Sequence, residues 1–193
     1  MSTTRSQFLA NGMKGGLALV AGGSILGLAQ GTALGAVTTD ADIAKLAATA
    51  ELLAIDFYTH AIGSKYLKND ELSYLVGARE NEQAHYAALR GVLKDATPKN
   101  LKFKYPNGAF GSRHSIGMLG EALETAFVGA YMGAVTALQS NELKGVTAEI
   151  GACESRHLSV LTNIAAGAIV PAPALPKVLT AAQATKAVTP FLV

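Results

Sequence analysis

The sequence is short of cysteine, of charge, and of any acid near its start. Cys153 is the sole cysteine, which excludes an internal disulfide framework and any thiolate zinc cage built from one chain. Only 16% of residues are charged, and 16 Lys+Arg against 14 Asp+Glu leave a net charge of +2. A balance so small and scattered gives no basis for nucleic-acid binding. The first acid is Asp40, so Arg5 and Lys14 supply the whole positive excess. No window alternates polar and apolar residues well enough to predict a strand. Apolar residues, in contrast, make up 50% of the 193. That is ample for a core, excludes wholesale disorder and suits one domain with a tail or leader.

Residues 1–36 differ in composition from all that follows. Arg5 stands among polar residues, and Gly15 to Ala36 then runs without a charge, rich in Gly, Ala and Leu. Small residues close it, Gly31-Thr32-Ala33-Leu34-Gly35-Ala36. This is the three-part pattern of an export signal. A membrane-spanning helix is one alternative, which the many glycines disfavour, and a helix retained in the fold is another. The stretch Thr3-Thr4-Arg5-Ser6-Gln7-Phe8-Leu9 resembles a twin-arginine export signal, with Thr4 where the first arginine would stand. The expected division is a signal over 1–36 cleaved near Ala36, a helical domain over 37–170, and a Pro-rich tail with a short helix over 171–193. The mature chain of about 157 residues would then work in the periplasm or outside the cell, with no permanent membrane span.

Beyond residue 37 the chain reads as all-α. Ile43, Leu46, Ala47, Ala50, Leu53, Ala54, Phe57, Tyr58 and Ala61 fall at helical spacing and predict a helix over 40–62, with Asp40 and Asp42 in its first turn and Gly63 at its stop. The same spacing predicts helices over 71–94, 115–139 and 142–168, with Ser140-Asn141 as a short break that caps the last. Pro98, Pro106, Asn107-Gly108 and Gly111 make 95–114 a long loop. Pro171, Pro173 and Pro176 follow the fourth run, and 180–187 suits one last short helix. Two helical hairpins joined by a long crossover form a four-helix bundle.

Four acids fall on the apolar faces of these helices. Glu51 shares a stripe with Ala47, Ala54 and Tyr58, and Glu124 lies seven residues before Tyr131. Glu82-Gln83-Ala84-His85 and Glu154-Ser155-Arg156-His157 each place a Glu three residues before a His. Helical positions i and i+3 share a face, about 5–6 Å apart at Cβ, so each Glu-x-x-His offers an oxygen and a nitrogen to one point. Glu51 and Glu82 are centred on the turn Gly63–Asp70, and Glu124 and Glu154 are centred close to the break at Ser140. Residues equidistant from a turn lie level in an antiparallel hairpin. Each hairpin therefore sets a lone Glu level with a Glu-x-x-His, and the chain carries an internal repeat of helix pairs.

An unpaired carboxylate taken out of water costs several kcal/mol, and a domain has only about 5–15 kcal/mol of stability in all. Arg79, Arg90 and Arg156 are available to pair with one or two of the four, as in a buried ion-pair network. Two divalent cations neutralise all four, with both imidazoles as neutral ligands. Oxygen ligands with one imidazole per ion suit iron or manganese, and zinc also fits.

A Glu from each of two helices with a Glu-x-x-His from each of the other two resembles the ligand set of the ferritin-like di-iron and di-manganese superfamily. The stretches Asp56-Phe57-Tyr58 and Ala130-Tyr131-Met132-Gly133-Ala134 extend the likeness to the secreted bacterial ferritin-like proteins related to desiccation stress. The resemblance spans about residues 38–168. It implies that Glu82 and Glu154 bridge two metals, that Glu51 and Glu124 are terminal ligands, and that His85 and His157 complete the set. It implies chemistry with O2 or peroxide as small-molecule partner, either metal oxidation or peroxide removal. A non-catalytic stress protein with structural metals is the alternative, and a homo-oligomer is compatible with both. Tyr58 and Tyr131 follow the lone glutamates by seven residues, placing them either beside the metals, as hydrogen-bond donors or redox-active phenols, or simply in the core. Glu121 either supports Glu124 or is an exposed acid. Cys153 reads as buried filler, His60, His114, Glu80 and Glu149 as surface residues, and Lys99–Lys104 as a solvated loop.

Overall fold

The computed structural model describes residues 39–169 and 173–193. The export signal expected over residues 1–36 lies outside the described residues, as does the expected boundary between bundle and tail. Four long helices follow one another: α1 (Asp40–Gly63), α2 (Asn69–Leu93), α3 (Arg113–Ala137) and α4 (Asn141–Ala166). A short α5 (Ala181–Val188) and the 3-10 turns Lys94–Ala96 and Thr189–Phe191 complete the elements. Each helix falls within two residues of the bounds its periodicity predicts.

Short polar residues set the helix ends. Thr39 and Asp42 cap α1 reciprocally, Ser112 and Ser115 do the same for α3, and the Ser140 hydroxyl accepts from the Leu143 N–H at the start of α4. α1 stops at Gly63 as predicted, yet Gly63 is not the left-handed residue; Lys65 is, with φ of 67°. The Ser64 N–H and hydroxyl both bond to the Ala61 carbonyl and close the turn before a left-handed residue is needed. α4 ends in the usual manner, with Gly167 left-handed at φ 69°.

α1 packs along α2, and α3 along α4. Asp40, at the start of α1, accepts the backbone N–H groups of Gln139 and Ser140 past the end of α3, both at 2.8 Å. α1 and α3 therefore run antiparallel. Arg113, at the start of α3, donates to Glu71 near the start of α2 and to the Ile164 carbonyl near the end of α4, each at 2.7 Å. Leu53, Phe57, Leu75, Ile116 and Leu161 fill the centre and are almost wholly buried, each worth about 1.5–3 kcal/mol. The only β-bridge among the described residues pairs Phe103 of the crossover with Leu192 of the tail.

The tail is fastened to α3 by glycine. The Leu179 N–H donates to the Gly129 carbonyl at 2.9 Å. A Cβ on Gly129 would crowd the Lys177 carbonyl oxygen, and one on Gly133 would overlap that of Leu179. Only glycine lets a second backbone approach a helix so closely. Among the described residues, no helix is long and apolar enough to cross a membrane.

Candidate metal centre

The bundle brings six side chains to one level: Glu51 from α1, Glu82 and His85 from α2, Glu124 from α3, and Glu154 and His157 from α4. The four glutamates and His157 are at most 1% exposed. The His85 side chain is 13% exposed.

The Nδ1 atom of each imidazole faces three carboxylates. His85 Nδ1 lies 3.1 Å from Glu82 Oε2, 3.3 Å from Glu51 Oε2 and 3.4 Å from Glu154 Oε1. His157 Nδ1 lies 2.8 Å from Glu82 Oε1, 2.9 Å from Glu154 Oε2 and 3.8 Å from Glu124 Oε1. Two groups of four result: Glu51, Glu82, His85 and Glu154, and Glu82, Glu124, Glu154 and His157. Within each group the ligand-type atoms lie within 4.8 Å of one another. Glu82 and Glu154 belong to both groups. They are the two for which the resemblance implied a bridging role.

Side chains alone do not satisfy this cluster. A ring nitrogen carries one hydrogen and serves one acceptor at a time. One oxygen of each glutamate is accordingly buried without a hydrogen-bond partner. Even with both imidazoles protonated, four carboxylates leave two negative charges unmatched. Burial, and then the neighbouring carboxylates, push Glu51, Glu82 and Glu124 above the usual carboxylate range. Burial would also raise Glu154, but its bonds to His157 and His85 prevail and hold it low. Burial would depress the histidines; glutamate contacts prevail and raise both. None of Arg79, Arg90 and Arg156 pairs with the four glutamates among the described residues, and Arg79 Nε is buried without a hydrogen-bond partner. Arg90 and Arg156 hold their charges in water, and Arg156 donates to Cys153 Sγ at 3.0 Å. Four orphaned carboxylate oxygens, with one imidazole per group, make a donor set that fits two hard divalent cations.

The tyrosines are part of this cluster rather than filler. The Tyr58 hydroxyl donates to Glu124 Oε1 at 2.5 Å, and the Tyr131 hydroxyl donates to Glu51 Oε1. Burial raises both phenols well above their usual range. They are therefore proton donors, held on the carboxylates that belong to one group only.

Two contacts were missed in the sequence. Asn81 Nδ2 lies 3.1 Å from His157 Nε2, and Cys153 Sγ lies 3.6 Å from the same nitrogen. Cys153 is buried as expected, and its position four residues before His157 was a readable signal for the contact. The Asn81 contact crosses from α2 to α4 and has no such signal. Glu121 is half-buried and belongs to neither group. His60, His114, Glu80 and Glu149 are exposed, as expected.

The family model described as ferritin-like domain matches residues 39–167. No curated protein matches the chain.

Proposed function

Because this chain belongs to the ferritin-like domain family, we propose that it holds two divalent ions, iron or manganese, between Glu51, Glu82, His85, Glu124, Glu154 and His157. The observation that carries this reading is the sharing of Glu82 and Glu154 between two buried groups that each contain one imidazole. Two such ions, when reduced, supply two electrons to O2 or peroxide, as in Fe(II) oxidation or peroxide breakdown.

The side chains provide the setting for that chemistry. Four carboxylates neutralise two divalent charges inside a medium that would otherwise penalise them. Tyr58 and Tyr131 hold the terminal carboxylates in place from the opposite helix. Leu53, Phe57 and Leu161 are almost wholly buried in the same bundle core. The composition of residues 1–36 supports export to the periplasm or beyond. The stretches around Tyr58 and Tyr131 support kinship with desiccation-related proteins and a role in oxidative stress.

A second reading gives the metals a structural role only. The near-complete burial of five of the six side chains favours it, because a substrate needs access. The two readings separate on reactivity: in the second, O2 and peroxide leave the metal-loaded protein unchanged. The first experiment is metal content per chain by mass spectrometry, on protein purified without added metal. About two iron or manganese ions per chain are expected. Fewer than one, with no uptake on reconstitution, overturns the proposal.

A further inference from the structure

The two halves of the cluster repeat each other in ligand type but not in surroundings. His157 is closed in. Its side chain is 1% exposed, and Tyr58 and Tyr74 meet its ring edge-on at 5.9 and 6.2 Å. Its far nitrogen, Nε2, has Asn81 at 3.1 Å and Cys153 at 3.6 Å. His85 is open by comparison. Its side chain is 13% exposed, and its ring contact is His157 itself at 6.5 Å. Among the described residues its own Nε2 has no hydrogen-bond partner.

Resting on the dinuclear reading above, we infer that the two metal positions are unequal. The position bounded by Glu124 and His157 binds more tightly, with Asn81 as its positioning residue. The position bounded by Glu51 and His85 is the exchangeable one, open to ions and small molecules. The difference originates in the ring nitrogen that faces away from the cluster. A histidine that ligates through Nδ1 must present a lone pair there and carry its proton on Nε2. A partner that accepts that proton fixes both tautomer and ring orientation, and its loss typically weakens metal binding about 10–100-fold. His157 has beside Nε2 a carboxamide, Asn81, that becomes such a partner once it turns, and among the described residues His85 has none.

Asn81 suits both states of the site. In the structure its carboxamide nitrogen faces Nε2, which puts the ring proton on Nδ1 among the oxygens of Glu82 and Glu154. Ligation through Nδ1 moves that proton to Nε2. Half a turn of the carboxamide then presents Oδ1 as acceptor. Aspartate keeps the acceptor and loses the donor, whereas leucine loses both.

The test is Mn2+ titration of the metal-free full chain, followed by calorimetry and electron paramagnetic resonance. The unaltered protein is expected to bind two ions in two separate steps, with an uncoupled Mn(II) spectrum after the first. Asn81→Leu should weaken the first step about 10–100-fold. Asn81→Asp should retain it, a rescue that a packing role would not produce. Glu51→Gln should remove the second step and spare the first. Equal loss in both Asn81 variants overturns the positioning role. Two equal steps, or a coupled pair already at half-loading, overturn the inequality while the dinuclear reading stands. Uptake below one ion overturns both.

Discussion

Tyr58 on α1 donates its hydroxyl to Glu124 on α3 at 2.5 Å, 66 residues away in the chain. Tyr131 on α3 returns the same bond to Glu51 on α1. Each hairpin thus steadies the other hairpin's unshared carboxylate. Replacing either tyrosine with phenylalanine keeps the packing and removes one donor to a buried carboxylate. Tyr58→Phe should weaken metal binding on the Glu124 side, and Tyr131→Phe on the Glu51 side, each by about 10–100-fold. Titration calorimetry on the two variants checks this, and identical isotherms to the unaltered protein would sink it.

The glutamates should not be equivalent. Glu82 faces both imidazoles, whereas Glu51 faces His85 alone. Glu82→Gln should therefore bring metal content below one ion per chain, and Glu51→Gln should leave about one. Unchanged content in Glu82→Gln and His157→Ala would show that the cluster holds no metal.

Acid should stabilise the metal-free protein. Buried Glu51, Glu82 and Glu124 titrate above their ordinary value of 4.5, and both histidines titrate above 6.5. The fold therefore binds protons that the unfolded chain releases, and stability falls as pH rises from about 5 to 8. Glu154 is held low and opposes this only below the usual carboxylate range. With metal bound the trend reverses, because protons compete for the same oxygens and nitrogens. Thermal melts across that window test both halves. A melting temperature that climbs from pH 5 to 8 without metal would refute the first.

Gly133→Ala should detach the tail, since the added methyl would overlap the Leu179 carbonyl. A loss of about 1–3 kcal/mol is expected from such overpacking. Gly145, in α4, has open space around it, and Gly145→Ala should add about 0.5–1 kcal/mol through helix propensity. Urea unfolding of the two variants gives the comparison, and a neutral Gly133→Ala would mean that the tail contributes nothing to stability.

Much of this was legible along the chain, because it depends on spacing within single elements. The helical period located all four long helices, and i, i+3 pairing joined Glu82 to His85 and Glu154 to His157. Equal distances from each turn set the lone glutamates level with those pairs. The remainder depends on how one hairpin is rotated against the other, which no local pattern encodes. The crossing of Tyr58 to Glu124, the reach of Asn81 to His157, and the exposure of His85 all belong to that docking. Arg90 and Arg156 stay exposed for another reason: water solvates a guanidinium more cheaply than a crowded core does. The seat of Leu179 on Gly129 and Gly133 had no periodic signature at all.

Both four-residue groups draw on both hairpins: Glu154 completes the one centred on His85, and Glu82 completes the one centred on His157. During synthesis the first hairpin leaves the ribosome with Glu51, Glu82 and His85 but without a fourth partner. An ion held by those three alone would be exposed on an unfinished apolar face. Full coordination would wait until residue 157 has emerged and the second hairpin has docked. On the proposed dinuclear reading, cation capture would mark the end of assembly rather than its nucleus.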